Sequence, residues 1–434
     1  MTRDGTEHDR TGYDFTRHDH TGYAGYDRTE HSRRQPDADA ARHGDPRPEG
    51  LRIVRLANFV TPASGGLRTA LRELGEGYRA AGHDPVLVVP GPAASDERTP
   101  QGRVITLPGP VLPGTGGYRV LAGRARLERL LRTLAPDRLE VSDRTTLRWT
   151  GEWARRARVP AVMVSHESVD GVLHTWGVPR SAARSVADRL NLRTAHAYTR
   201  VVCTTEWAAA EFTRTGARNV VTAPLGVDLA RAHPGCRSEE LRRRTGGGAS
   251  AVLLLCSRLS VEKRPGRALD ALSRLRADGV DAALAVAGDG PLRARLESRA
   301  RAERLPVAFL GHVTDACALA ALQASADVLL APGPAETFGL AALEALACGT
   351  PVVANAGSAL AGLIGPAGDT ALDDGDSIAA AVRRVLARPE EPRRTAARRR
   401  AEHFGWHAAI NAFLTAHDAA PLTPSRPPAL RGAA

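Results

Sequence analysis

Short apolar runs separated by helix-length segments occur in two series along the chain, with a polar break between them. The first series spans residues 51–228 and the second spans residues 251–355. Runs such as AVMVS and AVLLLC have the length and aliphatic content of buried strands, whereas the segments between them have helical spacing. Strands that alternate with helices favour parallel sheets, so the chain is predicted to form two Rossmann-like α/β domains.

The flanking segments have a different composition. Residues 1–49 repeat Asp, His, Thr, Tyr and Arg with almost no aliphatic side chains, so they cannot bury enough apolar area to offset chain entropy. The predicted parts are therefore a disordered polar tail, two α/β domains, an amphipathic helix that packs back towards the first domain, and a Pro-rich tail. Their bounds are 1–49, 50–228, 229–403, 404–420 and 421–434.

The composition excludes several classes of protein. Hydrophobic residues make up 43% of the 434 residues and charged residues 25%, which is typical of a soluble globular protein. No apolar run reaches the roughly 18 residues of a membrane-spanning helix. Five scattered cysteines without a C-x-x-C pair argue against a zinc site or a disulfide framework. The net charge of +11 comes with only 4% aromatic residues and no nucleic-acid motif, so nucleic acid is not a predicted partner.

One basic position stands out. Lys263 is the only lysine among 59 Lys and Arg residues, and it lies with Arg258 in the segment CSRLSVEKRPG. This segment follows a predicted strand and precedes a predicted helix near residues 265–277. Ligands of parallel α/β sheets bind at the carboxyl ends of strands, so the pair is a candidate anion site. The alternative is a solvated loop pair.

Two glutamates form the strongest motif, in the segment PGPAETFGLAALEALACGTPVVA. Glu336 follows a predicted strand, and Glu344 lies within an apolar helix. A buried carboxylate needs partners, and sugar hydroxyls would serve as such partners. The backbone N–H groups of Phe338, Gly339 and Leu340 begin this helix and can hold a phosphate. The alternative is a pair of structural carboxylates.

These motifs together resemble the retaining nucleotide-sugar glycosyltransferases of family 4. The resemblance covers nearly all of residues 51–420 and implies the GT-B fold, with an acceptor domain and a nucleotide-sugar domain facing a donor-binding cleft. It implies that Arg258 and Lys263 meet the donor diphosphate. It also implies that Glu336 contacts sugar hydroxyls near the reacting carbon, and that Glu344 binds the ribose. The motifs that carry it are SGGLRTA, HE after AVMVS, CTTEWA, PLGVD, SRLSVEK, AGDGPLR, FLGHV and the double-glutamate segment.

The same resemblance assigns the rest of the site. His166 matches the histidine that lines the sugar subsite, and Gly65 and Gly66 match the loop that approaches the donor phosphate and the acceptor. Gly288 and Asp289 match the donor side. Taken alone, the glycine motifs are more typical of turns, and the histidine is more typical of a packed core residue. The resemblance implies no metal cofactor, because a basic pair can neutralise the diphosphate and no D-x-D pair is suitably placed.

The N-terminal half resembles one subgroup, the bacterial GDP-mannose-dependent phosphatidylinositol-mannoside mannosyltransferases. It does so in the segments ANFVTPASGGLRTALRELGEGYRAAGH, ITLPGPVLPGTGGYRVL, LEVSDRTTLR and VMVSHESVDGVL. This implies a GDP-mannose donor, a glycolipid acceptor and a cytoplasmic protein at the inner face of the cell membrane. The Arg-rich segments 118–134 and 179–200 are predicted to be amphipathic helices that contact anionic lipid. Ordinary surface helices are the alternative.

Other functions remain open at this point. A family 4 enzyme can use another nucleotide sugar and a soluble or polysaccharide acceptor. Proteins of another class, a nucleotide-sugar epimerase or a non-catalytic sugar-nucleotide binding protein, share the architecture. The chain also departs from many family members after PVVAN, where AGSALAGLIGPAGDTALDDGD has no Glu at the usual place and so lacks one donor-side contact.

Overall fold

The computed structural model describes residues 50–60, 65–112, 117–166, 168–175 and 177–422. The predicted tail at 1–49 and most of the predicted Pro-rich tail lie outside the described residues. The strands within them form two sheets, one in each half of the chain.

The described N-terminal half contains a sheet of eight strands in the order β3-β4-β2-β1-β5-β6-β7-β8. Its strands are β1 (Arg52–Leu56), β2 (Asp84–Gly91), β3 (Ser95–Thr99), β4 (Gly102–Pro108), β5 (Arg138–Val141), β6 (Ala161–Ser165), β7 (Arg200–Cys203) and β8 (Val220–Thr222). Its helices are α1 (Gly66–Ala80), α2 (Arg124–Leu134), α3 (Trp149–Ala157), α4 (Val169–Thr175), α5 (Arg180–Ala197) and α6 (Glu206–Thr213).

The described C-terminal half contains a sheet of six parallel strands in the order β11-β10-β9-β12-β13-β14. Its strands are β9 (Ala251–Cys256), β10 (Ala282–Ala287), β11 (Val307–Gly311), β12 (Val328–Ala331), β13 (Val352–Asn355) and β14 (Gly368–Ala371). The helices are α7 (Glu239–Gly246), α8 (Gly266–Ala277), α9 (Arg293–Ala302), α10 (Ala316–Ser325), α11 (Leu340–Ala347), α12 (Leu360–Ile364), α13 (Gly375–Leu386), α14 (Glu390–Glu402) and α15 (Trp406–Ala416).

The prediction of two parallel-sheet α/β domains is confirmed, with one antiparallel strand added. β3 pairs antiparallel with β4, and the turn between them consists of Pro100 and Gln101. Gly102 follows with a φ of +106°, which favours glycine. β3 has a polar sequence and lies at the sheet edge, where charged side chains discourage pairing with other chains.

The predicted helix over residues 118–134 is wrong at its beginning. The helix α2 starts at Arg124, after Gly123 adopts a left-handed conformation. Val120 and Leu121 are buried, but they belong to an irregular segment in which Arg119 pairs with Val111. These two residues are apolar because they are buried in the core, and not because they lie on the apolar face of a helix.

The helix α15 packs against the N-terminal domain. Its Ile410 side chain fills the space beside Gly77, where a β-carbon would lie 2.3 Å from the isoleucine Cδ1. Beyond the helix, the buried His417 Nε2 lies 3.0 Å from Glu140 Oε2 on β5, and Arg55 Nε donates to the same carboxylate at 2.7 Å. Burial alone would raise the pKa of Glu140, but Arg55 and His417 outweigh it and hold that pKa well below its usual range. Glu140 is therefore ionised and holds His417, just beyond α15, against the first domain.

Candidate active site

Both sheets have a point at which the strand order reverses. In the second sheet β9 lies between β10 and β12, so the chain leaves β9 in one direction and returns on its other side. In the first sheet β1 lies between β2 and β5 in the same way. Connections diverge at such a point and leave a crevice at the carboxyl ends of the strands, which is where α/β proteins bind ligands. Arg258 and Lys263 follow β9, and Glu336 follows β12.

Lys263 and Glu336 form an ion pair across this crevice. Lys263 Nζ lies 2.5 Å from Glu336 Oε2, and the two side chains are 28% and 21% exposed. Burial alone would lower the pKa of Lys263, but the Glu336 carboxylate outweighs it and raises that pKa. The lysine is therefore charged, and its charge is matched by a carboxylate rather than by solvent.

Two glycines explain why these side chains meet. A β-carbon at Gly333 would lie 3.1 Å from the Lys263 Cα and 3.1 Å from the Glu262 carbonyl oxygen, so glycine lets the two loops touch. Gly339 precedes α11 with a φ of +73°, and a β-carbon there would lie 3.2 Å from the Glu336 Cγ. The two glycines therefore let the loop after β12 approach the loop after β9 closely, which places the Glu336 carboxylate beside Lys263.

Arg258 follows the same strand as Lys263, but its side chain has a different kind of partner. Within the described residues, no carboxylate or carbonyl oxygen pairs with its guanidinium, which lies 5.5 Å from the centre of the Tyr118 ring. The predicted donor residues Gly288 and Asp289 support the Arg258 segment. The Asp289 carbonyl accepts the Leu259 N–H at 2.9 Å, and a β-carbon at Gly288 would lie 1.9 Å from the Ser257 carbonyl oxygen. Because the Asp289 carboxylate pairs with Arg293 at 3.1 Å, the geometry favours a supporting role for this loop.

Glu344 lies on α11, with its side chain half-buried. Gln323 Nε2 donates to its Oε2 at 3.4 Å. Burial raises the pKa of Glu344, although Gln323 and Arg231 oppose the shift. A carboxylate with one weak partner retains acceptor capacity for a ligand hydroxyl.

The start of α11 faces the start of α1 across the crevice. The helix begins at Leu340, and the N–H groups of Gly339 and Leu340 have no acceptor within the described residues. A β-carbon at Gly66 would lie 3.6 Å from the Leu340 Cδ1, and one at Gly65 would meet nothing within 4 Å. The predicted donor residues of both domains therefore adjoin one another. Phe338 is buried at this junction, so only its backbone remains a candidate contact.

His166 follows β6, in the N-terminal domain. Its Nε2 lies 3.3 Å from the Ser142 Oγ, which follows β5. Burial lowers the pKa of His166 to about 4, with Glu140 opposing the shift and Arg55 adding to it. The imidazole is therefore neutral near pH 7 and can act as a hydrogen-bonding group.

Replacing His166 with Gln is expected to reduce the loss of stability on acidification. The unfolded histidine binds a proton near pH 6.5, whereas the folded one does so near pH 4, so acidification between these values favours unfolding. We expect the difference in the free energy of unfolding between pH 7 and pH 5 to shrink by about 2 kcal/mol. Urea titrations at both pH values measure it, with the exposed His403→Gln as control. An unchanged difference would contradict the burial of a neutral His166.

Several residues of the site were not predicted from the sequence. Gln323 lies in no segment that carries the resemblance, whereas Ser142, Gly333 and Tyr118 lie in such segments but were assigned no role. No three His, Cys, Asp or Glu residues cluster as a metal site within the described part of the chain.

Comparisons with known proteins identify the family to which the chain belongs. The family model "Glycosyltransferase Family 4" matches residues 64–231, and "Glycosyl transferases group 1" matches residues 238–402. The first match covers the N-terminal sheet from α1 onward, and the second covers the C-terminal sheet. Each half of the chain is thus matched separately.

Curated relatives match over most of the chain. The chain is 51% identical over 367 residues to the GDP-mannose-dependent alpha-(1-6)-phosphatidylinositol dimannoside mannosyltransferase of Mycobacterium tuberculosis, covering 84% of this chain and 95% of the relative. A GDP-mannose-dependent alpha-mannosyltransferase of the same species is 31% identical over 315 residues, covering 70% and 79%.

Solved structures show the same fold. Sucrose-phosphate synthase from Thermosynechococcus elongatus superimposes with a TM-score of 0.66 at 22% identity, covering 85% of this chain and 98% of that one. A glycosyltransferase from Rickettsia africae gives the same TM-score at 14% identity, with coverages of 85% and 98%. From its two family matches, its curated relatives and its two-sheet fold, the chain belongs to glycosyltransferase family 4 and has the GT-B architecture.

Proposed function

We propose that this enzyme transfers a mannosyl group from GDP-mannose to a phosphatidylinositol mannoside, with retention of configuration. The observation that carries the proposal is the arrangement at the strand-order reversal, where Arg258, Lys263 and Glu336 converge. The printed activity of the relative that is 51% identical supports the donor and the class of acceptor.

The donor diphosphate would bind between the two basic residues. Breaking the sugar–phosphate bond leaves negative charge on the diphosphate, and fixed cations and N–H dipoles stabilise such charge. Arg258 has a guanidinium without an acceptor within the described residues, and Lys263 is charged. The N–H groups of Gly339 and Leu340 would add dipoles at the start of α11.

The sugar and ribose would lie against the carboxylates. Glu336 would bind mannose hydroxyls near the reacting carbon, Glu344 would bind the ribose hydroxyls, and neutral His166 would face the sugar from the other domain. The leaving phosphate would accept the proton of the acceptor hydroxyl on the same face. We propose that no metal takes part, because the basic pair would balance the diphosphate.

A mixed basic and apolar face on α5 suits an anionic membrane. Val186 and Leu192 are 54% and 40% exposed, and Arg189 and Arg193 are exposed beside them. Val186, Arg189 and Arg193 lie at helical spacing on one face. In α2, by contrast, Leu127, Leu131 and Leu134 are buried in the core, so its solvent-facing side presents arginines without an exposed large apolar side chain. No described helix combines the length and apolar character needed to cross a bilayer. We propose peripheral contact through α5, at the inner face of the cell membrane.

Reversing charge on this face is expected to weaken membrane binding. Arginines near a surface of anionic lipid contribute about 1 kcal/mol each, so Arg189→Glu with Arg193→Glu should lower the bound fraction at least about tenfold. Co-sedimentation with vesicles of phosphatidylinositol and phosphatidylcholine measures it. The matched control is Arg295→Glu with Arg301→Glu on α9 of the other domain. Equal losses in both pairs would contradict a specific role for α5.

Donor and acceptor can be tested together. The purified protein is incubated with GDP-mannose, UDP-glucose or UDP-galactose and a bacterial lipid extract, and products are identified by mass spectrometry. We expect one hexose to be added to a phosphatidylinositol mannoside from GDP-mannose alone. Transfer only to a soluble acceptor would overturn the glycolipid assignment. Conversion of a donor without an acceptor would indicate an epimerase, and binding without turnover would indicate a binding protein.

A further inference from the structure

The Arg258 side chain contacts an aromatic ring of the N-terminal domain. Its guanidinium has no acceptor oxygen within the described residues, and it lies over the ring of Tyr118, 5.5 Å from the ring centre. Lys263 differs, because Glu336 holds its ammonium group. A cation within about 6 Å of an aromatic face is attracted by the ring quadrupole. The ring therefore holds one basic residue of the crevice, and a carboxylate holds the other.

Tyr118 is itself fixed by backbone pairing between the described segments 109–112 and 117–121. Val111 and Arg119 form an antiparallel bridge, and the Leu112 N–H donates to the Tyr118 carbonyl at 2.8 Å. The Leu121 N–H donates to the buried Asn58 Oδ1 at 2.8 Å, which ties the second segment to the end of β1. The backbone that carries the ring is thus bonded on both sides.

Phe59 fixes the ring from behind. Its ring meets Tyr118 edge to face, with centroids 6.1 Å apart and planes at 85°. Phe59 has a φ of +61°, which is unfavourable for a bulky residue. Its N–H donates to the Arg119 carbonyl at 3.3 Å. Such a conformation persists only where the surroundings impose it, and here it presents an aromatic edge to Tyr118.

We propose that Tyr118 is a positioning residue for Arg258. Its ring holds the guanidinium in place at the crevice before the donor arrives, so that diphosphate capture by the C-terminal domain depends on a side chain of the N-terminal domain. The proposal rests on the proposed binding of a diphosphate at Arg258. It requires only the ring, so phenylalanine should replace tyrosine.

The test is a double-mutant cycle on ligand affinity. GDP and inorganic pyrophosphate are titrated by calorimetry into full-length wild type, Tyr118→Ala, Arg258→Ala and the double variant. We expect Tyr118→Ala to weaken GDP binding about fivefold, in the range of a partly desolvated cation–π contact. In the Arg258→Ala background the same change should alter the affinity by less than about twofold, because the effect acts through the arginine.

Two further variants separate positioning from folding. Tyr118→Phe should bind GDP as wild type does. Trp149→Ala removes a ring whose centre lies 4.7 Å from the Arg124 guanidinium, a contact that does not involve Arg258. This change should leave the affinity for GDP unchanged even if it lowers Tm. Equal weakening by Tyr118→Ala in both arginine backgrounds would overturn the proposal, as would a Phe variant as weak as the Ala variant.

Failure of the donor assignment gives a different result. If wild type binds pyrophosphate but not GDP, the donor base is wrong, and the cycle is evaluated with pyrophosphate. If Arg258→Ala changes the affinity for neither ligand, Arg258 does not bind the diphosphate and the role of Tyr118 is refuted with it.

Discussion

Replacing Glu336 with glutamine is expected to lower kcat at least about a hundredfold, the scale of losing one preorganised electrostatic contact at a reacting centre. The change keeps the shape of the side chain and removes its charge. Binding of GDP should not weaken, and it should tighten if anything. In the free enzyme Lys263 Nζ lies 2.5 Å from Glu336 Oε2, so a diphosphate must compete with this carboxylate for the lysine. The amide removes that competitor.

The opposite signs of the two effects make this prediction specific. Turnover is measured by release of GDP in the presence of acceptor, and affinity by calorimetric titration of GDP. Glu262→Gln is the matched control, since Glu262 adjoins Lys263 in sequence but accepts a hydrogen bond from the Ser260 hydroxyl at 2.5 Å. Retained turnover, or GDP affinity that falls as far as kcat, would contradict the assignment of Glu336.

Removing Lys263 is expected to act on donor affinity first. Lys263→Ala should weaken GDP binding by about thirtyfold or more, which corresponds to the loss of a charge-assisted hydrogen bond to phosphate. Lys263→Arg should not restore it. The backbone of Lys263 packs closely against Gly333 and so cannot shift towards it, and its ammonium group already contacts Glu336. A planar guanidinium is longer and needs a fork-shaped site, so it would displace the carboxylate or turn away.

The same titrations test this second prediction. Arg264→Ala provides the control, because Arg264 is the next residue, is exposed, and lies 3.9 Å from Asp373. Its removal should leave GDP affinity within about twofold, since an exposed pair at that distance contributes little. Full activity of Lys263→Arg would mean that the only lysine of the chain is an accident of composition.

The sequence predicts the fold through its repeated pattern of strands and helices. A run such as AVLLLC has the short length and aliphatic content of a buried strand, and helix-length segments between such runs imply parallel pairing. Residues that follow strands then lie at one edge of a sheet, which places Arg258 and Glu336 on a common side. The resemblance to family 4 gave the same residues, and the family is confirmed. The individual site roles stay predictions.

Other features depend on contacts that periodicity does not encode. The Arg258–Tyr118 contact joins two domains, and the apolar residues before α2 follow from burial in an irregular loop. The ion pair between Lys263 and Glu336 requires the turn geometry of Gly333 and Gly339, which sets side-chain distances only in three dimensions. The antiparallel strand β3 is polar, so it lacks the apolar alternation by which strands are identified.

A crystal structure of the enzyme with GDP tests the central claim most directly. We predict that the diphosphate contacts both Arg258 and Lys263, and that Lys263 Nζ has left Glu336 Oε2, from which it is separated by 2.5 Å in the free enzyme. The freed carboxylate should then face the space beside the β-phosphate where mannose would lie. A diphosphate bound away from both basic residues, or bound with the ion pair intact, would contradict the account.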